Sequence, residues 1–88
     1  MQQRFSMFRW DPRHVAHIAR HNILPEDVDE VLEDEHCRLL RGRDERYLLY
    51  GRTEAGRMII VVIAGDVGRI GIPITSRDVT DAERRRFF

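Results

Sequence analysis

The feature that most constrains this chain is an apolar run from Met58 to Ala64, which directly follows Arg57. Its residues are mostly β-branched and show no alternation between apolar and polar side chains. Such a run predicts a strand that is covered on both faces. Because 88 residues form a single domain, here 1–88, this strand is expected at the centre of the only sheet. Arg57 then lies where the buried run meets solvent.

Two helices are predicted before the strand pattern begins. Asp11 can cap the free amides of a first turn, and the proline after it suits the first helical position, so a helix is expected over about 12–21. The next proline opens a second helix over about 25–34, where apolar residues recur at helical spacing. A loosely alternating segment at 4–10 can form a short strand ahead of both helices.

The second half of the chain follows the two-residue period of strands. Strands are predicted at 38–41, 46–53, 57–64 and 69–77, with turns at 42–45, 54–56 and 65–68. Pro73 cannot donate to a ladder, which favours an edge strand or a bulge there. Thr80 and Glu83 match a capping box that begins a last helix. The predicted fold is α+β, with an antiparallel sheet of four to five strands, two N-terminal helices and one C-terminal helix.

The charges are strongly segregated although they sum to zero. Seven acids lie between Glu26 and Glu35, and the rest of the chain carries fifteen arginines against eight acids. Genome composition can explain the absence of lysine, but the basic surface still consists of planar guanidiniums that bind phosphate bidentately and stack on bases. An anionic partner is favoured, with the acidic segment either turned away from it or reserved for a basic partner.

Several classes of protein are disfavoured by composition. The apolar fraction of 42% is typical of a globular protein, and no apolar run approaches the roughly 18 residues that span a bilayer. The first residues lack the hydrophobic segment of a signal peptide. Cys37 is the only cysteine, so no intrachain disulfide can form. These features predict a cytoplasmic protein with no membrane contact.

Three histidines lie along one border of the first predicted helix. Of His14, His17 and His21, the last two are spaced i, i+4 like a zinc-binding pair. Only His36 or Cys37 is available as a further ligand, so no metal is expected. The alternatives are an ordinary half-exposed helix face and proton transfer by one histidine, for which His21 is the candidate.

Arginines occur at the predicted strand ends. Arg57 begins the central strand, Arg77 ends the last one, and Arg46 and Arg52 lie on the strand before the central one. Guanidiniums aimed at one point form a clamp for a phosphate whose charge grows during transfer, and Arg57 with Arg77 is the candidate clamp. The alternative is that each arginine is a solvated edge residue or a partner of the acidic helix.

Taken together, these segments resemble the BrnT family, small ribonuclease toxins of type II toxin-antitoxin pairs. The segments that carry the resemblance are Phe8-Arg9-Trp10-Asp11, Arg20-His21-Asn22-Ile23, Glu26 to Leu32, Arg46-Tyr47, Gly51-Arg52-Thr53, Gly56-Arg57, Ile74 to Asp78 and Thr80 to Arg86. Each segment is weak evidence alone, but their order and spacing span nearly the whole chain.

The resemblance implies a RelE-like fold and RNA cleavage without metal or cofactor, in which a 2′-hydroxyl attacks its own phosphate. On the matching positions, Arg57 and Arg77 become phosphate clamps and His21 a proton-transfer group. Glu83 becomes a general base or a residue that orients an arginine, although the capping box already accounts for it. The resemblance also implies a neutralising antitoxin protein encoded nearby.

Two functions are therefore considered. The first is an endoribonuclease toxin, with further RNA contacts expected from the arginines Arg46, Arg52, Arg84 and Arg85. The second is a non-catalytic interaction module of the same fold, whose acidic helix at 26–35 docks a basic partner. Its contacts would come from the acidic side chains Glu26, Asp29, Glu30 and Glu33. A homodimer is compatible with either function.

Overall fold

The apolar run of the sequence forms the central strand of a five-stranded sheet. The computed structural model describes residues 5–65 and 68–88. Its elements are, in chain order, β1 (Met7–Phe8), α1 (Pro12–Ala19), α2 (Pro25–Glu33), β2 (Arg38–Arg41), β3 (Tyr47–Arg52), β4 (Met58–Gly65), β5 (Ile70–Asp78) and α3 (Asp81–Phe87). The strand order is β1-β5-β4-β3-β2, so β4 is paired on both edges. The predicted turn at 65–68 includes Asp66 and Val67, which lie outside the described residues, as does Arg4 of the predicted first strand.

The sheet is mixed, so the expectation of a purely antiparallel sheet was wrong. Strands β2 to β5 pair antiparallel as expected, but β1 runs parallel to β5, with Met7 opposite Ile70 and Phe8 opposite Gly71. Phe5 and Phe8 are buried in the core, and the sheet edge beside β5 is where the N-terminal segment can bury them. The α+β class is as predicted, and the described residues form five strands, within the predicted four to five, and three helices.

The two faces of the sheet are covered differently. On one face, which we call the helical face, the core residues of the strands pack with those of α1 and α2, a cluster that includes Ile18, Val28, Leu49, Ile59, Val61 and Ile63. Alternation along the strands places Leu48, Tyr50, Ile60 and Val62 on the opposite face, which we call the open face. Helix α3 covers one end of the open face, where Phe87 stacks on Tyr50.

The end of α1 places a histidine beside the sheet. The helix ends at Ala19, two residues earlier than predicted, because Asn22 adopts a left-handed conformation with φ of 57°. The Ile23 N–H then donates to the Ile18 carbonyl over 3.3 Å, as in a Schellman motif. His21 therefore belongs to the loop that closes the helix, where its side chain is exposed.

A bulge in β5 sets the orientation of the last strand. Val62 pairs with Thr75 while Ile63 pairs with Pro73, so the register shifts by one residue at this point. The sequence predicted a bulge or an edge at Pro73, because proline cannot donate to the ladder. Beyond the bulge, Arg77 pairs with Ile60 and so lies on the open face. No helix of the described residues is long and apolar enough to cross a membrane.

Candidate active site

A cavity of about 370 Å³ lies on the open face, between the end of α1, strand β5 and helix α3. Its lining consists of the side chains and backbone of His21, Leu48, Tyr50, Ile60, Val62, Thr75, Ser76, Arg77 and Glu83. The floor is largely aliphatic, whereas the groups at the α3 side can donate or accept hydrogen bonds. The cavity therefore collects three of the four predicted catalytic residues: His21, Arg77 and Glu83.

A bidentate ion pair joins Arg77 to Glu83. Arg77 Nη1 donates to Glu83 Oε1 over 2.8 Å, and Nη2 donates to Oε2 over 3.1 Å. The predicted capping box is also present, because the Thr80 N–H donates to Oε1 and Thr80 Oγ1 accepts from the Glu83 N–H. Helix α3 thus begins by holding a carboxylate against the guanidinium at the end of β5.

The contacts of Glu83 determine its protonation state. The hydrogen bonds from Arg77 lower the pKa of Glu83 to about 2, assisted by the Thr80 N–H and opposed by partial burial. A carboxylate with this pKa is ionised at neutral pH and is a poor general base there. Of the two roles that the resemblance implied for Glu83, the geometry favours the orientation of an arginine.

Tyr50 is the residue of this cavity that the sequence did not reveal. Its hydroxyl donates to Glu83 Oε2 over 3.3 Å, and its ring stacks on Phe87 with centroids 4.2 Å apart. The side chain is buried, with 5% exposed. Burial raises the pKa of Tyr50, as does the Glu83 charge, so the phenol keeps its proton at neutral pH. The cavity therefore contains a rigid, protonated hydroxyl group beside the ion pair.

Arg57 occupies a different position from Arg77. Its guanidinium donates to both carboxylate oxygens of Asp78 over 2.7 and 3.0 Å, and to the carbonyls of His21 and Asn22 over 2.9 and 2.7 Å. Asp78 pairs with Ile59, which belongs to the helical face, so this ion pair lies on the opposite side of the sheet from Arg77. Strand alternation thus directs Arg57 and Arg77 to opposite faces of the sheet, although Arg77 Nη1 also contacts Asp78, donating to its backbone carbonyl over 3.0 Å.

Arg57 nevertheless contacts the site through His21. Four hydrogen bonds from one guanidinium tie the loop after α1 to the ends of β4 and β5. This arrangement fixes the backbone of His21 while the imidazole lines the cavity. Arg57 also lowers the pKa of Asp78 through these hydrogen bonds.

The other two histidines of the N-terminal segment do not line the cavity. His17 is exposed, with its ring centroid 6.3 Å from that of His21. His14 has a buried Nδ1 atom without a hydrogen-bond partner among the described residues. Within 5–65 and 68–88, no three His, Cys, Asp or Glu side chains are grouped as metal ligands.

The arginines predicted to contact RNA border the open face. Arg46 lines a groove of about 640 Å³ that shares Leu48 and Val62 with the cavity. The Arg52 guanidinium lies 5.3 Å from the centre of the Phe88 ring. Arg84 and Arg85 are exposed in the last turn of α3.

The acidic helix lies away from this cavity. Glu26, Asp29 and Glu33 are exposed on α2, and Glu30 accepts a hydrogen bond from the Glu54 N–H over 2.9 Å. None of these four acids pairs with an arginine of the described residues. Partial burial raises the pKa of Asp29, as do the charges of Glu26 and Glu33, whereas a hydrogen bond from Trp10 lowers it. These four charges therefore have no ion-pair partner within the part of the chain that the structure describes.

The fold is similar to that of a solved ribonuclease. The crystal structure of the Brucella abortus ribonuclease toxin BrnT matches the chain with a TM-score of 0.65 and 18% sequence identity. The match covers 85% of this chain and 97% of that one. No protein-family model and no curated protein matches this sequence. The expected resemblance to BrnT is thus confirmed as a likeness of fold.

Proposed function

We propose that the protein is a metal-independent endoribonuclease toxin of a type II toxin-antitoxin pair. The observation that supports this most strongly is the cavity on the open face, which joins Arg77, Glu83 and His21. A guanidinium, a carboxylate that orients it and an imidazole can stabilise the charge on a phosphate and accept the 2′ proton without a metal. The likeness to a solved ribonuclease toxin agrees with this assignment.

The cavity groups have separate roles in the proposed reaction. Arg77, oriented by Glu83, holds the non-bridging oxygens of the scissile phosphate and stabilises the charge that grows on them. His21 accepts the proton of the 2′-hydroxyl, because imidazole exchanges protons near neutral pH. The 2′ oxygen forms a bond to phosphorus as the bond to the 5′ oxygen breaks. The products are a 2′,3′-cyclic phosphate and a 5′-hydroxyl.

We assign Arg57 a positioning role in place of a phosphate clamp. Its donors are directed at Asp78 and at the carbonyls of His21 and Asn22, so it fixes the loop that presents the imidazole. The RNA strand on either side of the cut would contact Arg46 through the shared groove and Arg52 beside α3. Arg84 and Arg85 would add weaker, solvent-exposed contacts to phosphates.

The antitoxin is proposed to dock on α2. Four of the five acids of that helix, Glu26, Asp29, Glu30 and Glu33, form no ion pair with an arginine of the described residues, which favours a basic protein segment as partner. The same surface supports the second candidate function, a non-catalytic interaction module. We place the protein in the cytoplasm, where such a partner and RNA are both present, and a homodimer remains compatible with this arrangement.

RNA cleavage by the purified protein tests the proposed function. We expect single-stranded RNA to be cut in the presence of EDTA, and Arg77→Ala to lower kcat/KM by at least about 100-fold, because it removes transition-state charge stabilisation. Arg9→Ala is the matched control, since Arg9 is exposed and does not line the cavity. RNA that stays intact at micromolar wild-type protein, with the basic partner still bound, would leave the interaction module as the function.

A further inference from the structure

We propose that Tyr50 is the proton donor to the departing 5′ oxygen, an inference that rests on the ribonuclease function proposed above. Expulsion of an alkoxide from phosphorus requires a proton, because a free alkoxide is a very poor leaving group in water. The three residues already assigned to the cavity leave this requirement unmet. The structure places the phenol of Tyr50 in the same cavity, and its proton is far more acidic than those of the two aliphatic hydroxyls there, on Thr75 and Ser76.

The geometry holds this phenol beside the phosphate-binding group. Tyr50, Ile60 and Arg77 form one row across β3, β4 and β5, because Tyr50 pairs with Ile60 and Ile60 pairs with Arg77. Strands in a sheet lie about 4.8 Å apart, so Tyr50 and Arg77 start from positions about 10 Å apart and converge. Both side chains reach the same atom, Glu83 Oε2, at 3.3 Å for the phenol and 3.1 Å for the guanidinium.

The phenol is also rigid. Its ring is stacked against Phe87 at an angle of 25° and is 5% exposed, so the hydroxyl cannot swing into solvent. A phosphate that Arg77 binds in the cavity lies next to this hydroxyl. The phenol can then exchange its hydrogen bond to Glu83 for one to the leaving oxygen without moving the ring.

The other cavity groups are unsuited to donate. Glu83 is ionised and has no proton to give, a guanidinium does not release its proton in proteins, and His21 is accepting the 2′ proton in the same step. Burial and the Glu83 charge keep Tyr50 protonated, whereas Arg77 and Arg86 act in the opposite direction. The charged or titratable groups around the phenol are Arg38 across the strand pair, Arg52 on its own strand, Arg77 on β5, Glu83 and Arg86 on α3, and His21 after α1.

The proton balance of the step is complete. The 2′ oxygen gives its proton to His21 and its electron pair to phosphorus, and the electrons of the breaking bond go to the 5′ oxygen, which takes the proton of Tyr50. The transfer is favourable because a 5′-alkoxide is a much stronger base than a phenolate. Arg77 stabilises the transient phenolate, which is reprotonated from the imidazolium through solvent.

A leaving group that needs no proton tests the proposal. The experiment compares an ordinary RNA oligonucleotide with one whose scissile 5′ oxygen is replaced by sulfur, since a thiolate leaves without protonation. We expect Tyr50→Phe to lower kcat about 100-fold on the ordinary substrate and to have little effect on the sulfur-linked one. Arg77→Ala is expected to impair both. Tyr47→Phe is the matched control, because its ring lies on the helical face, packed against Phe5 at 5.7 Å.

The outcomes separate this proposal from the function on which it rests. If the wild type cuts neither substrate, the ribonuclease function fails and this inference fails with it. If the wild type cuts both substrates and Tyr50→Phe lowers kcat equally on both, Tyr50 is a positioning residue and not an acid. Unchanged cleavage of the ordinary RNA by Tyr50→Phe would also overturn the proposal. Retained cleavage of the sulfur-linked RNA shows that the variant is folded.

Discussion

Glu83 is the residue on which the polar contacts of the cavity converge. It accepts hydrogen bonds from Arg77, Tyr50 and the Thr80 N–H, and its pKa is lowered from the ordinary 4.5 to about 2. As pH falls, the unfolded chain therefore takes up a proton at this site before the folded chain does. The stabilisation from the charged carboxylate is complete above about pH 4.5 and is lost as pH falls toward 2.

This linkage predicts the behaviour of Glu83→Gln in acid. We expect the variant to be less stable than the wild type at pH 7, and its free energy of unfolding to fall less steeply between pH 5 and about pH 2. Urea-induced unfolding measured across that range checks the prediction. Asp11 and Asp78 also have lowered pKa values, and they contribute equally to the pH dependence of the free energy of unfolding in both proteins. The difference between the wild type and the variant is therefore due to Glu83. Parallel curves would contradict the assigned ion pair.

For single residues, the sequence predicts those roles that depend on neighbours close in the chain. The capping box at Thr80 and Glu83 was predictable because it depends on a spacing of three residues. Tyr50 was not, because β3 begins Tyr-Leu-Leu-Tyr without alternation, and no local signal says which tyrosine faces the cavity. That choice is made by the pairing of β3 with β4, in which Tyr50 meets Ile60 and Tyr47 meets Ile63.

Among the described residues, the turn between β2 and β3 is where two consecutive residues other than glycine have positive φ. Asp44 and Glu45 both have positive φ, at 55° and 59°, and the Arg46 N–H donates to the Arg43 carbonyl over 3.0 Å. A two-residue hairpin of this kind favours Asn followed by Gly, because a side chain in the left-handed region costs roughly 1–2 kcal/mol.

Replacing these two residues by the favoured pair should stabilise the protein. We expect the double variant Asp44→Asn with Glu45→Gly to gain about 1 kcal/mol, which corresponds to roughly 4–8 °C in Tm for a domain of this size. Calorimetric unfolding measures the change. Ala55→Gly in the next hairpin is the control and should not gain, because glycine already occupies the position with φ of 89° there. A double variant with the Tm of the wild type would show that the turn relaxes without cost.

The helices and strands were largely predictable from the sequence, whereas one strand pairing was not. Helix and strand positions follow from periodicity and capping, so most predicted bounds lie within two residues of the observed ones. The parallel pairing of β1 with β5 joins segments more than sixty residues apart in sequence, and the burial of Phe5 and Phe8 against the sheet favours it. The sequence of a two-residue strand does not indicate which distant strand it pairs with, or in which direction.

In the folded molecule, the acidic segment and the candidate active site lie on different surfaces. The sequence predicted an acidic pole at 26–35 and a basic remainder, and this segregation is a property of composition alone. That α2 packs on the helical face while Arg77 and Glu83 lie on the open face is set by strand register and by the bulge at Pro73. The predicted clamp of Arg57 with Arg77 stays a prediction, and strand alternation directs these two side chains to opposite faces of the sheet.

This separation predicts that partner binding and RNA cleavage can be lost independently. The double variant Glu26→Arg with Glu33→Arg should weaken binding of the basic partner at least about tenfold, with a loss of salt dependence, and should leave RNA cleavage unchanged. Arg77→Ala should lower RNA cleavage and leave binding of the basic partner unchanged. Calorimetric titration with the protein encoded by the adjacent gene, alongside the cleavage assay, measures both. Glu45→Arg is the charge control for the binding measurement, because it makes the same kind of charge reversal, at one acid in place of two, in the β2–β3 turn. If Arg77→Ala also abolished binding, the partner would have to cover the cavity on the open face, and α2 would not be its docking surface.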